Sequence, residues 1–322
     1  MPGDGRGATD DAERRRSRPG LLARIFLQED LNFLLTNRIP RRLATRLMGW
    51  FSAIESRWLA AAVVAVWRRL DPELDLAEAK TQRFTSLRDC FTRELRAGAR
   101  PIAADADVVT SPCDAIVGAL GTVERGMAIQ AKGFPYPLKD LLVDDERVVR
   151  HAGGRFVTLR LKASMYHRFH APTDCRVERV DYVTGDTWNV HPIALRRVER
   201  LFCRNERLVI DLVLPQPNEA ITLVPVAAIL VASMRLHGLP QPLNLRYRGP
   251  NRIDCPRAYR RGEEMGWFEH GSTIVVFATG GFEFAEGVVE GATLRMGRPL
   301  LRRVATCGDP VPNASPDSPD QP

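Results

Sequence analysis

The chain has 322 residues, and its hydrophobic fraction of 44% argues against a disordered protein because it is enough to form a buried core. Lysine and arginine number 46 against 39 aspartate and glutamate, which favours a negatively charged partner such as nucleic acid or an anionic membrane surface. A GC-rich coding sequence would give the same arginine-rich composition without a physical reason. The longest apolar run, Trp58 to Trp67, has ten residues, about half of the roughly twenty that a membrane-spanning helix needs.

The sequence before residue 96 divides into a polar start and a helical segment. Residues 1–20 are charged and rich in Gly, Asp and Arg, which predicts a disordered N-terminus without the apolar core of a secretion signal. Over residues 21–95, apolar side chains recur at spacings of three and four with arginines between them, as in Leu43, Leu47, Trp50, Phe51, Ile54 and Trp58. We therefore predict an amphipathic, membrane-associating helical region, with packing on the protein's own domain as the alternative.

Short β-type runs replace the helical pattern after Arg100-Pro101. Few helical patterns separate them, so a mainly antiparallel sandwich or barrel-like core is favoured over a parallel βαβ sheet. The runs are 115–123, 155–161, 176–183, 207–214, 221–236 and 272–277. The predicted fold class is α+β, with a β-rich catalytic domain over 96–305. Residues 306–322 are polar and predicted to be disordered, because they bury too little to offset their ordering entropy.

Two segments carry residue types suited to catalysis. In Gly266-Trp-Phe-Glu-His-Gly-Ser-Thr-Ile-Val-Val-Phe277, a Gly-Ser-Thr step precedes a β-branched strand, which by itself indicates an ordinary turn. Met165-Tyr-His-Arg-Phe-His-Ala-Pro172 places His167 and His170 three residues apart. Histidine moves protons near neutral pH, so the pair indicates acid/base chemistry. A metal pair is the alternative, but no third ligand falls at a suitable local spacing.

A third segment, Ser111-Pro-Cys-Asp-Ala-Ile-Val-Gly118, places Asp114 in a turn before another predicted strand. Aspartate is common in turns for local hydrogen bonding alone. Together with a histidine and Ser272, however, Asp114 supplies the residue types of a Ser-His-Asp system, in which the acid orients the imidazole and the imidazole takes the hydroxyl proton. Such systems are defined by geometry, which the sequence leaves open.

These segments, in this order, resemble the motifs of phosphatidylserine decarboxylases. Further similar segments, also in family order, are Phe84-Thr-Ser-Leu-Arg-Asp-Cys-Phe-Thr-Arg-Glu-Leu95, Arg100-Pro-Ile102, Lys132-Gly133 with Tyr136, Leu141-Leu142 and Asn205-Glu-Arg-Leu208. The similarity spans roughly residues 30–300, and Tyr-His-Arg-x-His with a downstream Gly-Ser-Thr is specific as a pair. Two positions depart from the family: His270 stands where Leu is common, and Ala115 where Gly is common.

The resemblance implies an enzyme that processes itself. Oγ of Ser272 attacks the carbonyl of Gly271, with His170 as base and Asp114 orienting it, and the chain is cut between Gly271 and Ser272. Ser272 becomes a covalent pyruvoyl group, and no metal is expected. This cofactor forms a Schiff base with phosphatidylserine, whose decarboxylation gives phosphatidylethanolamine and CO2, with His167 returning the proton.

The resemblance also implies partners and a location. Phosphatidylserine and an anionic membrane surface would give the arginine-rich helices a role, as parts of a peripheral protein on the cytoplasmic face of the cell membrane. Large and small chains, 1–271 and 272–322, and a homodimer are expected. Nucleic acid is not, since no reading helix or RNA-binding motif is recognisable.

Two alternatives remain open. One is a pyruvoyl-dependent decarboxylase of a soluble amino acid or of another serine lipid. The other is a catalytically inactive membrane-binding homologue. The departures from the family pattern at His270 and Ala115 are the observations that favour it.

Overall fold

The computed structural model describes residues 40–128, 135–230, 233–244, 246–269 and 273–304. Its helices are α1 (Arg41–Ser52), α2 (Arg57–Leu70), α3 (Leu87–Phe91), α4 (Leu138–Leu142), α5 (Asp145–Arg150), α6 (Pro192–Arg197) and α7 (Leu201–Arg204). Its strands are β1 (Val108–Thr110), β2 (Ala115–Thr122), β3 (Met127–Ala128), β4 (Tyr136–Pro137), β5 (Arg155–Arg160), β6 (Arg168–His170), β7 (Cys175–Val183), β8 (Arg207–Val213), β9 (Ala220–Val226), β10 (Met234–Leu236), β11 (Arg252–Tyr259), β12 (Glu264–Phe268), β13 (Thr273–Ala278), β14 (Phe282–Phe284), β15 (Thr293–Leu294) and β16 (Pro299–Arg303). Within these residues, no helix combines the length and the apolar character needed to cross a membrane.

Helices α1 and α2 precede the sheets, as the sequence predicted. α2 begins after Ser56, whose hydroxyl accepts a hydrogen bond from the backbone N–H of Leu59 at 3.3 Å and so caps the helix. The chain then runs through turns and irregular structure until the short α3. The helical region is therefore interrupted, and its predicted first part, 21–39, lies outside the described residues, as do 1–20 and 305–322.

Helix α1 buries a polar position and exposes its apolar stripe. Thr45 is 2% exposed, and its Oγ1 lies 3.4 Å from Oγ1 of Thr187 and accepts a hydrogen bond from the N–H of Leu230 at 3.1 Å. The apolar side chains on the outer face are Leu43, Leu47 and Trp50, which are 54%, 56% and 67% exposed. These three members of the apolar stripe therefore face away from the protein's own core, whereas Phe51 and Ile54 are half-buried.

The core is an eight-stranded sheet with the order β11-β7-β8-β9-β13-β5-β2-β15. Its paired strands run antiparallel, and β13 lies between β9 and β5 with every residue buried. This confirms the predicted α+β class with N-terminal helices and a mainly antiparallel β-rich core. Hydrophobic side chains on the faces of this sheet make up most of the main core.

The predicted run 221–236 proved to be two strands in different sheets. β9 ends at Val226, and β10 resumes at Met234 in a three-stranded sheet with the order β10-β12-β6. The sequence does not indicate where the chain passes from one sheet to the other, because both strands are largely buried and give the same apolar pattern.

The small sheet positions the site. β6, which ends at His170, pairs antiparallel with β12. β12 ends at Phe268, and β13 begins at Thr273 in the middle of the large sheet. Residues 270–272 therefore join the two sheets along the chain, and they lie outside the described residues.

Candidate active site

Both ring nitrogens of His170 have defined partners. Nδ1 lies 2.9 Å from the carbonyl oxygen of Gly262, and Nε2 lies 3.0 Å from the hydroxyl of Tyr166. Because a carbonyl oxygen can only accept, Nδ1 carries the proton and Nε2 presents its lone pair to the tyrosine hydroxyl. Burial lowers the pKa of His170, although the Gly262 hydrogen bond and the charges of Glu264 and Asp114 oppose this effect. His170 is thus a neutral imidazole at pH 7 whose basic nitrogen is Nε2.

Tyr166 connects this imidazole to a buried charge cluster. The tyrosine is 5% exposed, and burial raises the pKa of its hydroxyl, which stays protonated and donates to His170. The guanidinium carbon of Arg100 lies 5.9 Å from the centre of the tyrosine ring. The ring of Tyr166 therefore stands between His170 and Arg100.

Arg100 holds the carboxylate of Asp114. Its Nε donates to Oδ1 at 2.8 Å and its Nη2 to Oδ2 at 2.6 Å, while the N–H of Met296 donates to Oδ1 at 2.9 Å. Arg100 also donates to Glu78 at 2.6 Å, and its side chain is 8% exposed. A buried bidentate pair of this kind fixes the direction of the carboxylate.

Asp114 and His170 come close without a hydrogen bond between them in the described part of the chain. The N–H of His170 donates to the carbonyl of Pro112 at 2.8 Å, which brings the two segments side by side. The side chain of Asp114 nevertheless faces Arg100, and the carbonyl of Gly262 occupies Nδ1 of His170. The direct contact expected of a Ser-His-Asp system is therefore replaced here by a backbone carbonyl, and Asp114 acts on His170 through its charge.

The Arg100-Pro101-Ile102 segment also supports the turn that presents this carbonyl. Gly262 has φ +79°, a conformation that favours glycine, and a Cβ there would lie 2.9 Å from the side chain of Ile102. Gly297, which follows Met296, has φ +85°, and a Cβ there would lie 2.7 Å from Ile102. Ile102 is thus packed between the glycine turn beside His170 and the one beside Asp114.

His167 occupies a different environment from His170. It is fully buried, and its ring meets the edge of Phe91 with the ring centres 5.5 Å apart. Phe91 in turn lines a cleft of about 480 Å³, which we call the Arg160 cleft. Its other lining residues are Met48, Asp71, Arg160, Leu161, Lys162, Ala163, Asn189, Val190, His191, Ala228, Ile229 and Leu230. His167 therefore lies behind one wall of this cleft.

The strand after the predicted cleavage step begins at a neighbouring cleft of about 190 Å³, which Thr273 lines and which shares Arg160 and Val190 with the Arg160 cleft. Thr273 pairs with Arg160 on one side and with Val226 on the other. It is 1% exposed, and its hydroxyl has no hydrogen-bond partner within the described residues. The predicted site residues Gly271 and Ser272, and the unusual His270, lie outside those residues, so their contacts with His170 stay predictions.

The described residues contain no group of three or more His, Cys, Asp or Glu side chains that could hold a metal ion. His167 and His170, the pair considered for metal binding, have separate surroundings: a phenylalanine ring for the first, and a tyrosine hydroxyl and a carbonyl for the second. The donor set at His170 fits proton transfer.

Sequence reasoning did not assign roles to three groups of this site. Tyr166 stands inside the Tyr-His-Arg-Phe-His motif and Arg100 inside Arg-Pro-Ile, so their motifs could have pointed to them. The carbonyl of Gly262 is 92 residues from His170 in the sequence, and no sequence pattern indicates this contact. Ala115, a departure noted above, is fully buried at the start of β2 and keeps a negative φ.

Comparisons with known proteins agree with the resemblance in the motifs. A family model described as phosphatidylserine decarboxylase matches residues 87–302. A phosphatidylserine decarboxylase proenzyme of Aliivibrio fischeri (strain MJ11) is 32% identical over 289 residues, covering 86% of this chain and 100% of the relative. The proenzyme of Methylibium petroleiphilum is 36% identical over 284 residues, covering 85% and 98%, and that of Saccharophagus degradans is 33% identical over 280 residues, covering 84% and 96%.

Proposed function

The chain belongs to the phosphatidylserine decarboxylase family, and from this premise we propose that it cuts itself between Gly271 and Ser272 and then decarboxylates phosphatidylserine to phosphatidylethanolamine and CO2. The family consists of decarboxylases made as proenzymes. What remains to be argued for this chain is the self-cleavage, the pyruvoyl group and the lipid substrate.

The observation that carries the proposal is the state of His170. A buried, neutral imidazole with its proton fixed on Nδ1 has a lone pair at Nε2 that can take the proton of a serine hydroxyl. Oγ of Ser272 then attacks the carbonyl carbon of Gly271, and the peptide bond is replaced by an ester. Loss of the α-proton of Ser272 expels the Gly271 carboxylate, and water releases ammonia from the resulting dehydroalanine to leave a ketone.

Asp114 and Arg100 serve this step from a distance. The negative charge of Asp114 stabilises the imidazolium that forms when His170 takes a proton, and it raises the pKa of that histidine. Arg100 keeps the carboxylate in place through the hydrogen bonds that its Nε and Nη2 donate. In this proposal Gly262 orients the ring, and Asp114 adjusts its basicity.

The surroundings of Thr273 fit a pyruvoyl group at the neighbouring position. Such a group supplies a ketone that attaches the substrate amine and accepts the electrons released as CO2 leaves. The buried hydroxyl of Thr273 lacks a partner within the described residues and could donate to a carbonyl formed next to it. The cleft of about 190 Å³ that Thr273 lines, together with the adjoining Arg160 cleft of about 480 Å³, offers room for a headgroup. His167, behind the Phe91 wall of that cleft, is the residue we assign to returning the proton after decarboxylation.

The two chains formed by cleavage would stay together. β13, which would begin one residue after the new N-terminus of the 272–322 chain, is hydrogen-bonded along its length to β5 and β9 of the 1–271 chain. This strand is buried throughout, so its removal would expose the centre of the sheet. A homodimer of such two-chain units remains a prediction from the resemblance.

The outer face of α1 supports a lipid substrate over a soluble amino acid. Leu43, Leu47 and Trp50 are more than half exposed on a helix that otherwise packs through Thr45. Exposed apolar side chains beside arginines suit insertion into the headgroup layer of an anionic membrane. We propose that the enzyme works there as a peripheral protein on the cytoplasmic face of the cell membrane.

Intact-mass measurement of the purified wild-type chain tests the self-cleavage. We expect two chains, 1–271 and 272–322, with the small chain lighter by the lost ammonia, and decarboxylation of liposomal phosphatidylserine but not of free serine. A single uncleaved species of 36.0 kDa would contradict the proposal and favour an inactive homologue. Turnover of a free amino acid by the cleaved form would instead overturn the lipid substrate alone.

A further inference from the structure

A second pocket, of about 300 Å³, lies against α1 and shares no lining residue with the Arg160 cleft. It holds four arginines and one glutamate, and we call it the arginine pocket. Its charged residues are Arg46, Arg88, Arg235, Arg246 and Glu269, and its other lining residues are Thr45, Gly49, Trp50, Ala53, Ser233, Pro242 and Asn244.

The positive charge of the arginine pocket is mostly uncompensated. Glu269 is 6% exposed, and its carboxylate lies 3.5 Å from Nε of Arg88 and 3.9 Å from Nε of Arg235. These distances are longer than those of direct charge-assisted hydrogen bonds. Arg46 and Arg246 form no ion pair within the described residues. Four guanidinium groups against one carboxylate leave an excess of three positive charges, which favours an anionic ligand.

Two buried donors in the pocket lack hydrogen-bond partners. Ser233 is 5% exposed, and its hydroxyl has no partner within the part of the chain that the structure describes. Nε of Arg88 is also buried there without a hydrogen bond. A buried donor without a partner costs about 1–3 kcal/mol, which a ligand oxygen would recover. The unsatisfied hydroxyl thus points to a ligand rich in acceptor oxygens.

The pocket also lies at the edge of the exposed apolar face of α1. Trp50 belongs to both, because it lines the pocket and is 67% exposed. If that face enters the headgroup layer of a membrane, the pocket comes to the depth of the lipid phosphates. Guanidinium groups match the paired oxygens of a phosphate group.

We propose that the arginine pocket binds the phosphodiester group of a membrane phospholipid. This inference rests on the membrane association in the proposed function and adds to it a specific headgroup site. A diffuse attraction between arginines and an anionic surface would depend on net charge alone. Binding at a specific site also depends on the hydrogen bond of the Ser233 hydroxyl and on the planar, bidentate geometry of each guanidinium group.

The test uses two variants of the full chain that keep the net charge, Ser233→Ala and Arg235→Lys, and phosphatidylcholine vesicles that contain phosphatidylglycerol. We expect Ser233→Ala to weaken vesicle binding about tenfold, since it removes one hydrogen bond to a charged group. Arg235→Lys should weaken it by a similar factor, because an ammonium cannot make the bidentate contact. The matched control is Arg69→Lys at the exposed end of α2, which should bind like the wild type.

Binding of both variants with wild-type affinity would overturn the headgroup site. Stabilisation of the wild type but not of Ser233→Ala by inorganic phosphate, together with unchanged vesicle binding, would assign the pocket to free phosphate and also overturn it. Vesicle binding needs no turnover, so the result is independent of decarboxylation. A wild type that fails to bind vesicles would contradict the membrane association itself, which separates that failure from a failure of the pocket.

Discussion

The hydroxyl of Tyr166 lies 3.0 Å from Nε2 of His170, the nitrogen that the proposed mechanism needs as a base. The tyrosine therefore occupies the lone pair that Ser272 would use. Burial lowers the pKa of His170, and a hydrogen bond donated to Nε2 also favours the neutral ring. In the proposed mechanism, Ser272 must therefore displace this hydroxyl.

Tyr166→Phe should therefore shift the pH dependence of self-cleavage. Loss of the donated bond favours the protonated ring, so the pKa of His170 rises. Because only the neutral ring is a base, the acid limb of the rate moves to higher pH. The rate above that limb should be at least as fast as in the wild type. The measurement is the rate of chain cleavage on denaturing gels across pH, and loss of cleavage at every pH would instead make Tyr166 a required proton relay.

Replacing the two histidines separately should separate the two reactions. His170→Asn should leave a single uncleaved chain, because the base for Ser272 is gone. His167→Asn should cleave normally and then lose decarboxylation by about 10²–10⁴-fold, the usual contribution of a positioned proton donor. Denaturing gels measure chain cleavage, and CO2 release from liposomal phosphatidylserine measures decarboxylation. Normal cleavage in His170→Asn would remove the central premise of the mechanism.

The sequence was sufficient for elements whose pattern is local. Strands such as β5, β7 and β8 appeared within one residue of their predicted bounds, because apolar alternation and flanking turns mark them. The helical spacing of α1 was equally clear. The direction of its apolar stripe was not, since burial of Thr45 depends on Thr187 and Leu230, distant partners that no local pattern specifies.

The candidate site likewise has features that local motifs indicate and features that depend on distant contacts. His167, His170 and Asp114 could be named as candidates because their residue types and motifs are specific, and their roles stay predictions. The orientation of His170 by the carbonyl of Gly262 was not, because a backbone group has no identity in the sequence and the contact spans 92 residues. The Ser-His-Asp pattern supplied the residue types and suggested a direct carboxylate contact, whereas Arg100 holds that carboxylate in another direction.

Arg100 and Arg295 provide a matched pair that tests the buried charge cluster. Both donate to Glu78, at 2.6 and 2.9 Å, but the side chain of Arg100 is 8% exposed and that of Arg295 is 56% exposed. Arg100→Met should cost about 3–5 kcal/mol of unfolding free energy, because Asp114 and Glu78 lose their buried partner. Arg295→Met should cost less than about 1 kcal/mol.

Both variants are best compared in the uncleaved Ser272→Ala background, so that one chain unfolds in each case. Denaturant titration gives the difference in unfolding free energy. Equal losses would contradict the assignment of Arg100 as the residue that holds Asp114.

Leu47→Gln with Trp50→Gln should weaken binding to neutral phosphatidylcholine vesicles about thirtyfold without lowering stability. Both side chains are more than half exposed, so their replacement removes little buried surface from the folded protein. In the membrane they would lose the burial of two apolar groups, each worth about 1 kcal/mol after allowance for the part already covered. Neutral vesicles exclude the diffuse attraction between the protein's positive charge and an anionic surface. Val149→Gln, at a 77% exposed position on α5, is the control and should bind like the wild type. If the α1 variant binds as tightly as that control, the apolar face of α1 does not contact lipid, and the exposure of Leu47 and Trp50 needs another partner to explain it.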